Sequence, residues 1–286
     1  MKPFPNELLE LVLKDVCEID DEVFEFAYEF NWRPQINATR IAPLLVCRSW
    51  HNLAFSSFYR TTILCTAVHA RHFARILSGH PHLGNQVRKI FFNGGFGATA
   101  WKILQATPHL THLRLSLAIG SSDSTQGLFN ALHLIQPRSL RLSDFNNAYD
   151  NARSRSLILA ICSCMKGIWT RLVEFRFPYE IDLEWKEKEF NRRNLLEAML
   201  SAPFLKIIHM PGPYSPNDLR PLLAKPSLCA IISETPFGLM QGHHIRGTTD
   251  QLPIQQLALC NKIYFPLPGP WAPSCRPYEA MEAGSK

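Results

Sequence analysis

A short apolar pattern, apolar-x-x-apolar-x-apolar, recurs along this chain and constrains its fold more than any other feature. It reads Val87-x-x-Ile90-x-Phe92, Leu110-x-x-Leu113-x-Leu115, Leu172-x-x-Phe175-x-Phe177 and Leu205-x-x-Ile208-x-Met210. Leu228-x-x-Ile231 and Cys260-x-x-Ile263-x-Phe265 are weaker copies, and Leu140-x-Leu142 and Ile63-Leu64 fit the same slot. The equivalent positions are 63, 90, 113, 140, 175, 208, 231 and 263, so the spacings are 27, 23, 27, 35, 33, 23 and 32 residues. Alternation within each copy predicts a strand with one face turned inward. Helical stretches fall between the copies, at 68–77, 101–106, 125–135, 157–165, 195–200 and 219–223. Pro108, Pro137, Pro203 and Pro226 stand just before strands, where they stop the preceding helix.

An irregular repeat of this length is in the range of a leucine-rich solenoid. One strand-plus-helix unit cannot bury its own apolar face, so such units are stable only as a stack. The expected fold is therefore mixed α/β, an irregular leucine-rich array over residues 59–265. Residues between the inward positions, His112, Arg114, Glu174 and Arg176, are expected to point out from the sheet and to contact a bound macromolecule. The stretch 266–286, rich in Pro, Gly and Ser, reads as a poorly ordered tail.

The first 58 residues have a different character. Leu8, Leu9, Val12, Leu13 and Val16 fall on one helical stripe in a helix expected from Asn6, its N-cap, to about Val16. Residues 17–37 are acidic and aromatic, either a second short helix or a flexible insert. A further helix is expected from Pro43 to Phe55, with Pro43 in the first position. Two blocks stand out, Pro5-Asn6-Glu7-Leu8-Leu9 and Val46-Cys47-Arg48-Ser49-Trp50. In this order near an N-terminus they resemble the F-box, the segment that anchors substrate receptors to the Skp adaptor of SCF-type cullin–RING ubiquitin ligases. Phe4 replaces the family's usual opening Leu, and the gap between the blocks is longer than its norm.

The resemblance implies an all-α F-box-like unit over residues 1–58 and a substrate-receptor function. It implies that Pro5, Leu8, Leu9, Val12, Val46, Cys47 and Trp50 face the adaptor, and that a substrate protein binds the repeats. The chain itself would perform no chemistry and need no cofactor. Two other readings stay open: a leucine-rich interaction module without a ligase link, whose N-terminal helices only cap the array, and a nucleotide-binding enzyme.

The enzyme reading rests on residues 94–100. Gly95-x-Gly97-x-x-Ala100 fits the dinucleotide fingerprint between an expected strand and an expected helix. Against it, the strand carries Arg88 and Lys89, and the next strand ends without an acidic residue for a ribose. Cys65 with His69-x-x-His72 could share a helical face as metal ligands, but a fourth ligand is not evident. His109-x-x-His112 straddles a strand, and Cys162 and Cys164 lie too close on a helix to share a face. No nucleophile elbow is present. The carboxylates of 180–189 are interleaved with Lys186 and Lys188 and read as a solvated face.

Charge is unevenly spread. Of the net +6, residues 1–30 carry −7 and the remainder +13. An acidic opening suits a basic partner. The basic remainder has no cluster of the kind that binds nucleic acid, and none is expected as a partner. The first 20 residues mix charges into the apolar pattern, so no secretory leader is read there, and no apolar run is long enough to span a membrane. The expected location is cytoplasmic or nuclear, with eight cysteines acting as small apolar side chains.

Overall fold

Eight strands pair in chain order into one all-parallel sheet in the computed structural model, which describes residues 5–26, 35–120, 123–143, 152–177, 189–210, 216–233 and 263–264. The strands are β1 (Thr61–Leu64), β2 (Lys89–Phe92), β3 (His112–Ser116), β4 (Ser139–Ser143), β5 (Glu174–Arg176), β6 (Ile207–Met210), β7 (Ala230–Ser233) and β8 (Ile263–Tyr264). Each crossover leads to the neighbouring strand in the same direction. Right-handed crossovers then place every connecting helix on one face of the sheet.

The strand phase follows the repeated pattern. Ile90, Leu113, Leu140, Phe175, Ile208, Ile231 and Ile263 form one row across seven strands. The first slot is shifted by one residue: Thr62, not Ile63, stands beside Ile90, so Ile63 faces the other way, alongside Phe91. The inward side chains pack on α5 (Ala67–Gly79), α7 (Gly97–Ala106), α8 (Gln126–Ala131), α9 (Ala152–Ser163) and α10 (Glu189–Ser201) through Phe73, Leu77, Ile103, Leu128, Leu157, Ile161 and Leu195. A short α6 (Pro81–Gly84) and α11 (Pro216–Leu223) complete this layer. Burying such side chains contributes about 1.5–3 kcal/mol each, which makes this layer the main source of stability. Trp169 ends a π-helical turn, Cys164–Ile168, and donates its indole N–H to the Leu132 carbonyl at 2.9 Å.

The glycine positions are set by close helix packing. A Cβ on Gly127 would lie 1.7 Å from the Gly97 carbonyl oxygen, so only glycine lets α8 approach the start of α7. Phe96 and Gly97 both have left-handed φ, 50° and 51°, where the chain turns from β2 into α7.

Four helices precede the sheet: α1 (Asn6–Cys17), α2 (Asp21–Phe26), α3 (Gln35–Val46) and α4 (Arg48–Arg60). Pro5 stands at the N-cap of α1 without a side-chain bond, so Asn6 is inside the helix rather than its cap. The single helix expected from Pro43 to Phe55 is two. Cys47 is extended between them, its Sγ accepting the Trp50 N–H at 3.5 Å, and Pro43 lies inside α3.

The architecture expected from sequence is corrected here. The described chain is α/β, but it is not a helical F-box-like unit followed by an irregular leucine-rich solenoid. It is an all-parallel sheet layered with helices, most of those behind the sheet being full α-helices of two to four turns. The opening helices run into it without a linker, since α4 ends at Arg60 and β1 begins at Thr61. They also return to it, since Ile19 and Phe24 pack on Phe91 of β2. The strand pattern reports only which side chains face inward and leaves both features open. The tail 266–286 lies outside the described residues. Among the described residues no helix is long and apolar enough to cross a membrane.

Candidate docking surface

The opening helices have a small core of their own. Leu13, Cys17 and Ala54 are buried, with Leu9, Leu44, Trp50, Leu53 and Phe58 packed around them. Arg40 ties the unit together. Its Nε donates to the Cys17 carbonyl at 2.6 Å and its Nη2 to the Phe58 carbonyl at 2.8 Å, and its guanidinium lies 4.7 Å from the Phe58 ring centre. Those carbonyls belong to the last turns of α1 and α4, so the cation meets the negative ends of two helices. Burial pulls Arg40 down to about 10, partly opposed by the nearby Cys17 and Glu18, and it stays charged at neutral pH. Arg60 pairs with Glu18 at 3.1 Å beside it.

This core uses one side of α1 and leaves another bare. Leu13 is buried and Leu9 half-buried, whereas Leu8, Leu11, Val12 and Val16 are 50, 62, 52 and 41% exposed. On α3, Ile41, Leu45 and Val46 are 38, 78 and 59% exposed. Seven aliphatic side chains therefore face solvent on two helices that pack against each other. Of the residues expected to face an adaptor, Pro5, Leu8, Val12, Val46 and Cys47 are exposed. Leu9 and Trp50 turn into the internal core. Leu11, Ile41 and Leu45 are exposed positions that the sequence reading missed. The doublets Leu8-Leu9 and Leu44-Leu45 widen the apolar stripe beyond what one packed seam covers, and that excess was the available signal.

A second surface carries charge. On the sheet face away from the helices, Arg114, Arg141, Arg176 and His209 stand in one row on β3 to β6. Arg114 points out from the sheet as expected but is covered there: it is 1% exposed and donates to the Phe24 carbonyl at 2.7 Å. His112, Glu174 and Arg176 are half-buried, and His112 meets the Thr111 hydroxyl at 2.9 Å. Glu174 accepts from His209 Nε2 at 2.9 Å, and Arg176 Nη2 approaches His209 Nδ1 at 3.4 Å. Arginine only donates, so Nδ1 accepts and Nε2 carries the proton given to Glu174. That bond, helped by the Arg176 guanidinium nearby, holds the Glu174 carboxyl below its usual range despite burial.

The glycine turn works as packing. A Cβ on Gly95 would lie 2.4 Å from the Ser124 carbonyl oxygen, and the Gly97 N–H donates to that same oxygen at 2.8 Å. The close approach that a pyrophosphate would need at Gly95 is taken by the chain itself. His69 and His72 are exposed, and no group of three His, Cys, Asp or Glu among the described residues is placed to hold a metal ion. Burial pushes the Cys162 and Cys164 thiols up to about 12 and about 11, which leaves them protonated and inert. Residues 180–188 lie outside the described residues.

No protein-family model matches the chain, and no curated protein matches it.

Proposed function

We propose that this chain is a substrate-receptor subunit of an SCF-type cullin–RING ubiquitin ligase. It docks to a Skp-type adaptor through its opening helices and holds a substrate protein on its sheet-and-helix body. In this reading the chain catalyses nothing. It raises the local concentration of its substrate near the transfer machinery.

One observation carries the proposal: the aliphatic set Leu8, Leu11, Val12, Val16, Ile41, Leu45 and Val46 is bare on helices that already have a satisfied core. An apolar face left over after folding marks an interaction site. The two sequence blocks that resemble the F-box contribute Leu8 and Val46 to this set, with Pro5 and Cys47 exposed beside them.

Co-elution with a purified Skp-type adaptor on gel filtration tests the proposal. Wild type is expected to co-elute, and Val12→Asp/Leu45→Asp to separate while keeping its helical circular dichroism. Trp50→Ala is a poor probe, because Trp50 packs inward and its loss disturbs folding. Separate elution of the wild-type chain would leave a second reading, an interaction module whose opening helices cap the first strand. Phe55 and Tyr59 favour that reading, since both pack from α4 onto the main core.

A further inference from the structure

The face of β1 to β3 away from the helix layer is occupied by the chain itself. Helix α2 has six residues, too few to hold a helix unaided, so its conformation depends on docking. Ile19 and Phe24 are 4 and 2% exposed and seat against Phe91, with Val23 and Ile63 alongside. Two polar contacts flank the seat. The Asp21 carboxylate pairs with the Lys89 ammonium. The Arg114 guanidinium lies 4.3 Å from the Phe91 ring centre while it bonds the Phe24 carbonyl, at the negative end of α2. The seat is thus an aromatic and aliphatic floor between two cations. Its occupant comes from residues 18–26, which contain Glu18, Asp20, Asp21, Glu22 and Glu25 and no basic residue.

Ile19, Phe24 and Phe91 form a cluster separate from the main core. Phe91 points away from Ile90 and Phe92, whose side chains belong to that core. The strap can therefore lift without opening the layer that stabilises the sheet. Asp21 is 77% exposed, which leaves its ion pair open to screening by salt.

We propose that the β1–β3 face is a docking site for a short acidic peptide segment bearing an aromatic residue, closed in the resting chain by residues 19–26. A partner of that chemistry opens the site by competing with the strap for the same floor and the same two cations. The inference is independent of adaptor docking, which uses a different face of the opening helices.

The probe is a labelled synthetic peptide with the sequence of residues 18–26, titrated into the full chain and read by fluorescence anisotropy. Phe24→Asp puts a carboxylate in the apolar seat and displaces the strap. Asp21→Lys reverses the charge that faces Lys89 and loosens it. Both variants are expected to bind the peptide about tenfold more tightly than wild type, a difference of about 1.4 kcal/mol. Adding Arg114→Ala to Asp21→Lys, or raising the salt, should remove that gain. Equal affinity for wild type and both variants overturns the proposal, as does equal binding of a scrambled peptide. If Phe24→Asp fails to fold, Asp21→Lys decides alone, and lack of binding by that folded variant overturns the proposal.

Discussion

Arg40 shows how much one side chain can organise. It is 8% exposed and charged, a costly state that persists because two helix-end carbonyls and the Phe58 ring receive it. Arg40→Met keeps the stem and leaves both carbonyls without the cation. It should cost about 2 kcal/mol in urea unfolding, the scale of losing charged hydrogen bonds. An unchanged midpoint would contradict the keystone role. Glu174 gives a pH signature with a definite sign. Its folded-state pKa lies below the ordinary 4.5, so its stabilising effect is complete above that value and fades as pH falls through the lower folded value. Glu174→Gln should therefore flatten the acid side of the stability profile, below about pH 4.5. Equal acid slopes in the two proteins would show that the Glu174–His209 pair contributes nothing to folding.

Between elements, glycine sets the distances. Gly127→Ala drives a methyl into the Gly97 carbonyl and must push α8 off α7, at a cost of about 3 kcal/mol. At Gly79, near the end of α5, a Cβ meets nothing within 4 Å, and Gly79→Ala should gain about 0.5 kcal/mol. Thermal melts of the pair separate a packing role from a generic glycine effect, and similar melting temperatures would refute it. Element-level features were unevenly legible in the sequence. Strand phase was readable from position 90 onward, because alternation is a local property and these residues all lie in one row. It failed at β1, where Thr62 takes an inward slot that the apolar pattern had assigned to Ile63. The break at Cys47 was hidden, since it depends on a sulfur acceptor for the Trp50 N–H rather than on a proline or glycine. Leu8 and Leu9 looked equivalent, and only the packing of α3 and α4 separated the exposed one from the half-buried one. The outward side of Arg114 was legible, but its cover was not, because its bond to Phe24 spans 90 residues of chain.

At the scale of the whole molecule, two surfaces differ in chemistry. An aliphatic face lies on the opening helices, and a polar, partly cationic face lies on the open side of the sheet, with α2 crossing from the first to cover part of the second. This arrangement suits a chain that joins two macromolecules. Removing charge from the sheet, as in Arg176→Ala, should leave adaptor affinity unchanged within about twofold, because the sites share no residue. A larger change would mean that the two faces are one site.

Isothermal titration calorimetry of the full chain against a Skp-type adaptor decides whether the opening helices dock to it. A one-to-one complex of micromolar affinity or tighter is expected, with a negative heat-capacity change from apolar burial and at least about tenfold weakening by Val12→Asp. A wild-type chain that releases no heat and forms no complex, or a Val12→Asp variant that binds as tightly as wild type, would contradict it.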